Sequence, residues 1–94
     1  MGVLVILEMD GSTDALLAAA ADLESRRPTS AILARIVAPT DGGVVVATFW
    51  ESAEAREAYQ AEPEHRDALQ ASGLLDAIEE MRSRVFEGAE LQLT

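Results

Sequence analysis

GGVVVATFWESAEAREAYQAEPEHRDALQASG, residues 42–73, carries an apolar strand straight into a polar, alanine-rich helical segment. Val44 to Trp50 is β-branched and aromatic on both parities, which fits a strand covered on both faces. Ser52 stands where a helix cap belongs, and Glu54 and Glu57 lie near the positive end of the helix it would open. Ala55, Ala58 and Tyr59 then share a face at i, i+3, i+4 spacing. Pro63 cannot sit deep in a helix, so it reads as the first residue of a second helical segment with Glu62 at its cap. His65, Ala68, Leu69 and Ser72 fall on one side of that segment, and Gly73 stops it. The only Trp, Tyr and His of the protein all lie in these residues.

Working back from Gly42, the run Pro39 to Gly43 is dense in turn formers, and Ala31 to Ala38 before it has strand character. A β-hairpin follows. Within that strand Ile32, Ala34 and Ile36 fall on one side and Leu33, Arg35 and Val37 on the other. Further back, Val3 to Met9 is aliphatic on both parities and belongs at the centre of a sheet. Between the two strands, Ser12 or Thr13 caps a helix with Leu16, Ala20 and Leu23 on its stripe, flanked by Leu17 and Ala21. Arg26 and Arg27 suit the negative end of its dipole, and Pro28 ends it.

On the other side of Gly73, Leu74 to Ile78 reads as one more short turn and Met81 to Glu87 as a last strand. The tail from Ala89 to Leu93 alternates and can add a strand or exchange with a second copy. The order is strand, helix, strand, strand, helix, strand: an α+β, ferredoxin-like split βαβ domain with an antiparallel sheet. Helices cover one face of that sheet. The other face is apolar as well, and a second copy of the same sheet is its simplest cover.

At 94 residues the chain is expected to form one domain. Two Phe, one Trp and one Tyr leave its core to Val, Leu, Ile and Ala, a thin core that favours burial shared with a partner. Seven basic against seventeen acidic residues give a formal charge of −10, which repels phosphate backbones and anionic lipid, so neither nucleic acid nor membrane is an expected partner. With no cysteine there is no disulfide, thiolate nucleophile or Cys-bound metal. One His among scattered carboxylates has no metal-ligand spacing. The first residues lack a basic segment ahead of their short apolar run, so they read as a strand and a cytoplasmic location is expected.

The block DGGVVVATFWESAEAREAYQAEPEHRDALQASG, with its Trp-Glu-Ser and Pro-Glu-His elements, resembles the dimeric α/β-barrel proteins typified by antibiotic biosynthesis monooxygenases. The resemblance implies a homodimer whose sheets close into a barrel, with a small pocket in each protomer between sheet and helices. Activities in that superfamily include cofactor-independent oxygenation of aromatic polyketides or quinols, haem degradation, isomerisation and cyclisation. Haem degradation needs an Asn on the first strand with a Trp and a His ten residues apart; this chain has no Asn, and Tyr59 and Leu69 stand at the other two places. A cofactor-free oxygenation of a small aromatic, polyketide or quinol-like molecule is the function the resemblance implies, with cyclisation or isomerisation, or ligand binding without catalysis, as alternatives.

Oxygenation without flavin or metal requires that the protein take a phenolic or enolic proton and hold the resulting anion in a dry pocket. His65 is the candidate base and Tyr59 its candidate catalytic companion. Arg35 or Arg84 could hold the oxyanion, and Trp50 and Leu69 could line the pocket. Each has a plainer role open to it. Trp50 at a strand end can simply close the core, Tyr59 can be a core residue, and His65 can be hydrogen-bonded or solvated at a helix start. Arg35, interrupting an apolar strand, can pair with Glu8 or Glu87 across the sheet. Arg82 and Arg84, on one side of the last strand, can guard an edge or bridge an interface.

Overall fold

The computed structural model describes residues 1–93. Four strands and four helices follow in the order β1 (Gly2–Asp10), α1 (Thr13–Arg26), β2 (Ile32–Thr40), β3 (Gly43–Trp50), α2 (Ala53–Ala61), α3 (Pro63–Ala71), α4 (Leu74–Ala77) and β4 (Glu80–Ala89). The strands form one antiparallel sheet in the order β2-β3-β1-β4, the ferredoxin-like arrangement expected from the sequence. The two strands with apolar residues on both parities, β1 and β3, are the inner pair.

The first two helices start at their serine caps. Ser12 Oγ accepts from the Ala15 amide at 3.3 Å, and Ser52 Oγ from the Ala55 amide at 3.0 Å. Thr13, the first residue of α1, donates from Oγ1 to the carbonyls of Thr40 and Gly43, tying the helix to the β2–β3 turn. Pro63 opens α3 behind Glu62, and Gly73, at φ +79°, closes it in the left-handed conformation that glycine adopts at little cost. Gly43 is needed for a different reason: it lies opposite Asp10, and a Cβ there would run into the Met9 carbonyl.

The helices lie on the face carrying Val3, Val5, Leu7 and Met9 of β1 and Val44, Val46, Thr48 and Trp50 of β3. Two buried clusters form there. Met9, Leu16, Ala19, Val44, Val46 and Leu74 make one; Val3, Val5 and Trp50, backed by Ile32 and Tyr59, make the other. Leu16 is fully buried, and α1 meets the sheet through it and the buried Ala19 and Ala20. Small residues let the helix come close, so its inward stripe is Leu16, Ala19, Ala20 and Leu23, while Ala21 faces solvent. On α2, Tyr59 and Ala55 are half-buried but Ala58 is exposed.

The opposite face carries Leu4 and Ile6 of β1, Val45, Ala47 and Phe49 of β3, and Ala34, Ile36 and Ala38 of β2. No helix covers it. Gly88, at φ +71°, is a bulge after which Ala89 still pairs with Gly2; the described residues beyond β4 add no strand, and Ala89 to Gln92 wall a hollow of about 390 Å³ floored by Leu4, Ala34, Ile36, Ala47 and Phe49. On the same face Arg82 forks onto Asp10 at 3.0 and 3.2 Å and reaches Glu8 at 3.3 Å. The hydrogen bond from Arg82 holds the Asp10 carboxyl below its ordinary pKa. These pairs lie within the chain and clasp the edge strand β4 to β1.

Candidate functional site

A cleft of about 590 Å³ opens between the sheet and the helices. Its floor is the inner face of the sheet, including Val5, Leu7 and Met9 of β1 and Val46, Thr48 and Trp50 of β3. The C-terminal half of α1 forms one wall. Tyr59 of α2, His65 and Leu69 of α3 and Leu74 of α4 form another. The lining is mainly apolar with a few polar atoms, as small-molecule sites are.

Trp50, Tyr59 and His65 converge on this cleft as a run of edge-to-face rings. Tyr59 meets Trp50 with centroids 5.3 Å apart and an interplanar angle of 62°, and it meets His65 at the same distance and angle. The indole is held from below: Trp50 Nε1 donates to Thr48 Oγ1, two residues earlier on the same face of β3, at 3.0 Å. His65 takes its place from the start of α3, where its amide donates to the Glu62 carbonyl at 3.0 Å and its side chain shares the inward face with the buried Ala68.

His65 Nδ1 is buried and has no hydrogen-bond partner. Burial, and secondarily the positive charge of Arg27, push the imidazole pKa below 6.5, so the ring is neutral at pH 7. A tautomer with its proton on Nε2 leaves Nδ1 free to accept one. The Tyr59 phenol is pushed above 10, chiefly by burial, and stays protonated. Its hydroxyl is already committed, donating to the Arg27 carbonyl at 3.1 Å.

Arg35 lies on the cleft side of β2. It does not pair with Glu8 or Glu87: β3 separates β2 from β1, where Glu8 takes the opposite face, and both β3 and β1 separate it from Glu87 on β4. Its contacts are an ion pair at 3.7 Å to Glu24 of α1 and a long hydrogen bond, 3.4 Å, to the Ala20 carbonyl; its Nε is buried without a hydrogen bond. A β-bulge between Ile32 and Ala34 brings it there together with Ile32, so the even alternation expected along this strand is broken. Leu69 lines the cleft. Arg84 does not: it pairs in register with Ile6, which places it on the opposite face of the sheet, its guanidinium 5.0 Å from the Phe86 ring. A period of two sends alternate residues of β4 to opposite faces, and Arg84 has the parity of Arg82. Among the described residues no three His, Asp or Glu side chains gather in a way that could hold a metal ion.

Two contributors were not picked out by sequence reasoning, Arg27 and Thr48. Thr48 is visible only through the parity it shares with Trp50. Arg27 had its charge accounted for by the helix dipole, and nothing local marks its partner Tyr59, 32 residues away.

No family model and no curated protein sequence matches the chain. Solved structures do share its fold. A proposed antibiotic biosynthesis monooxygenase from Chloroflexus aurantiacus superposes with a TM-score of 0.65 at 24% identity, over 96% of this chain and 97% of that one. SnoaB, a cofactor-independent oxygenase from Streptomyces nogalater, gives 0.68 at 14% identity over 96% and 95%. A dimeric ferredoxin-like protein of unknown function from Thermobifida fusca gives 0.64 at 19% identity over 92% and 90%. At these identities the likeness establishes the ferredoxin-like fold and its near end-to-end extent.

Proposed function

We propose that this chain works as a cytoplasmic homodimer and that its cleft is a cofactor-independent monooxygenase site for a small aromatic, polyketide-like or quinol-like molecule. The observation that carries this reading is the buried, unpartnered Nδ1 of a neutral His65, set beside Tyr59 and Trp50 in an apolar cleft that also receives Arg35. In such a site His65 takes a phenolic or enolic proton, and the Arg35 guanidinium lies where it can offset the negative oxygen. The carbanion form of the substrate then reduces dioxygen; a ring CH2 becomes C=O, one oxygen atom stays on carbon and the other leaves as water.

Cyclisation or isomerisation in the same cleft would need a proton donor as well as a base. The Tyr59 hydroxyl is bound to the Arg27 carbonyl, so the pathway that asks only for a base is favoured. For assembly, support comes from the uncovered apolar face, where Ile36 is 67% and Phe86 39% exposed, and from the dimeric state described for the Thermobifida fusca protein.

An oxygen electrode tests the reading. Addition of a reduced anthrone should draw oxygen one for one with product, and His65→Ala should slow uptake by roughly 100-fold or more. Undiminished uptake in that variant removes His65 from the mechanism. Tight binding of the anthrone without product converts the site to one of ligand sequestration.

A further inference from the structure

Arg27 is the C-cap of α1, and its side chain is only 10% exposed. It is bound to the junction of α2 and α3 in four ways. Its Nη1 donates to the Tyr59 carbonyl at 3.0 Å, and its own carbonyl accepts from the Tyr59 hydroxyl at 3.1 Å. Its guanidinium lies 3.9 Å from the Tyr59 ring centroid, and its Nη2 reaches Glu62 at 3.0 Å. Glu62 is the residue whose carbonyl receives the His65 amide, and Tyr59 is the ring against which His65 rests. Both supports of His65 therefore hang on one guanidinium.

We infer that Arg27 is a positioning residue for the cleft: by clamping Tyr59 and Glu62 to the end of α1, it fixes where the His65 imidazole points. The charge of a structural helix cap could be satisfied by Glu62 alone. Lying over the Tyr59 ring while bonding the Tyr59 carbonyl through Nη1 and Glu62 through Nη2 instead uses the planar fork, which a lysine cannot reproduce; the bond from the Tyr59 hydroxyl needs only the Arg27 main chain. The same charge faces a ring that has no acceptor on Nδ1, so it also works against an imidazolium there. Other charged groups around the cleft are Arg35 on β2 with Glu24 of α1 beside it, and Arg56 on α2. Glu64, next to His65 on α3, is exposed.

The catalytic part of the inference rests on the proposed function, and its structural part does not. The test is therefore double: the ring resonances of His65 titrated by NMR, and the steady-state kinetics of anthrone oxidation, in Arg27→Gln and Arg27→Lys. Arg27→Gln should move the His65 midpoint up towards 6.5, shift its ring resonances and lower kcat by about 10- to 100-fold with KM changed less than threefold. Arg27→Lys should keep the low midpoint, because the charge remains, and still lose kcat. A His65 titration in Arg27→Gln that overlays the parent's, at equal loss of thermal stability, reduces Arg27 to a structural cap and overturns the inference. Should Arg27→Gln not fold, unchanged kcat and unchanged His65 resonances in Arg27→Lys overturn it equally. If the parent itself turns over no anthrone, the proposed function fails, and the His65 resonances alone decide the role of Arg27.

Discussion

His65 meets Tyr59 edge-on, ring centroids 5.3 Å apart, and its Nδ1 is buried without a hydrogen-bond partner. An imidazole so placed is stabilised in its neutral form, and its folded pKa lies below the unfolded value of 6.5. As pH falls through 6.5 the unfolded chain takes up a proton before the folded one, so stability declines on the acid side; above 6.5 the group is neutral in both states and contributes no slope. Chemical denaturation between pH 4 and pH 8 should show this decline, and His65→Gln should flatten it. The acid limb of anthrone oxidation should have its midpoint below 6.5.

Tyr59 joins α2 to the end of α1 through its hydroxyl and to Trp50 through its ring. Tyr59→Phe removes only the hydrogen bond and should cost about 1 kcal/mol. Tyr59→Ala opens a void beside Trp50 and should cost about 3–5 kcal/mol, less where the half-exposed site can refill with water. Urea titrations of the two variants check the difference.

Neighbouring glycines at the β2–β3 turn should respond in opposite ways. A Cβ at Gly43 would meet the Met9 carbonyl, and neither backbone can give without breaking the β1–β3 ladder, so Gly43→Ala should lose roughly 3 kcal/mol. Nothing lies within 4 Å of a Cβ at Gly42, and Gly42→Ala should stay within about 0.5 kcal/mol of the parent. Thermal melts of the pair settle the matter.

Ile36 is the most open apolar side chain of the uncovered sheet face. Ile36→Asp would leave a charge against apolar surface in a dimer and solvated in a monomer. Sedimentation at micromolar concentration should give a dimer for the parent and a monomer for the variant. A parent that sediments as a monomer contradicts the shared-sheet arrangement.

Most of the fold was legible because local chemistry agrees with tertiary position along most of the chain. Ser12 and Ser52 mark helix starts, Pro63 and Gly73 bracket α3, and the doubly apolar β1 and β3 are the inner strands. That His65 and Leu69 share an inward face was legible for the same reason, but that Trp50, Tyr59, His65 and Leu69 line one cleft emerges only once the helices are packed on the sheet. The parts that escaped depend on long-range register. Which face Arg84 takes follows from its pairing with Ile6, and the partner of Arg35 follows from a strand order that keeps β2 away from Glu8 and Glu87. Arg27 escaped because a helix-end arginine has a sufficient local explanation, and its grip on Tyr59 exists only once α1 and α2 are packed.

The bulge at Leu33 sets one residue of β2 apart from the others. Beyond it, Ala34 to Thr40 must keep step with β3, so each of those side chains is bound to a face by the ladder. At the bulge the 53% exposed Leu33 has no partner on β3 and lines the cleft, while Ile32 before it still pairs with Trp50. A change of size at Leu33 is therefore decoupled from the alternation of the strand behind it. In a lineage adapting to a new ligand, that residue is where specificity could drift without the sheet having to be rebuilt.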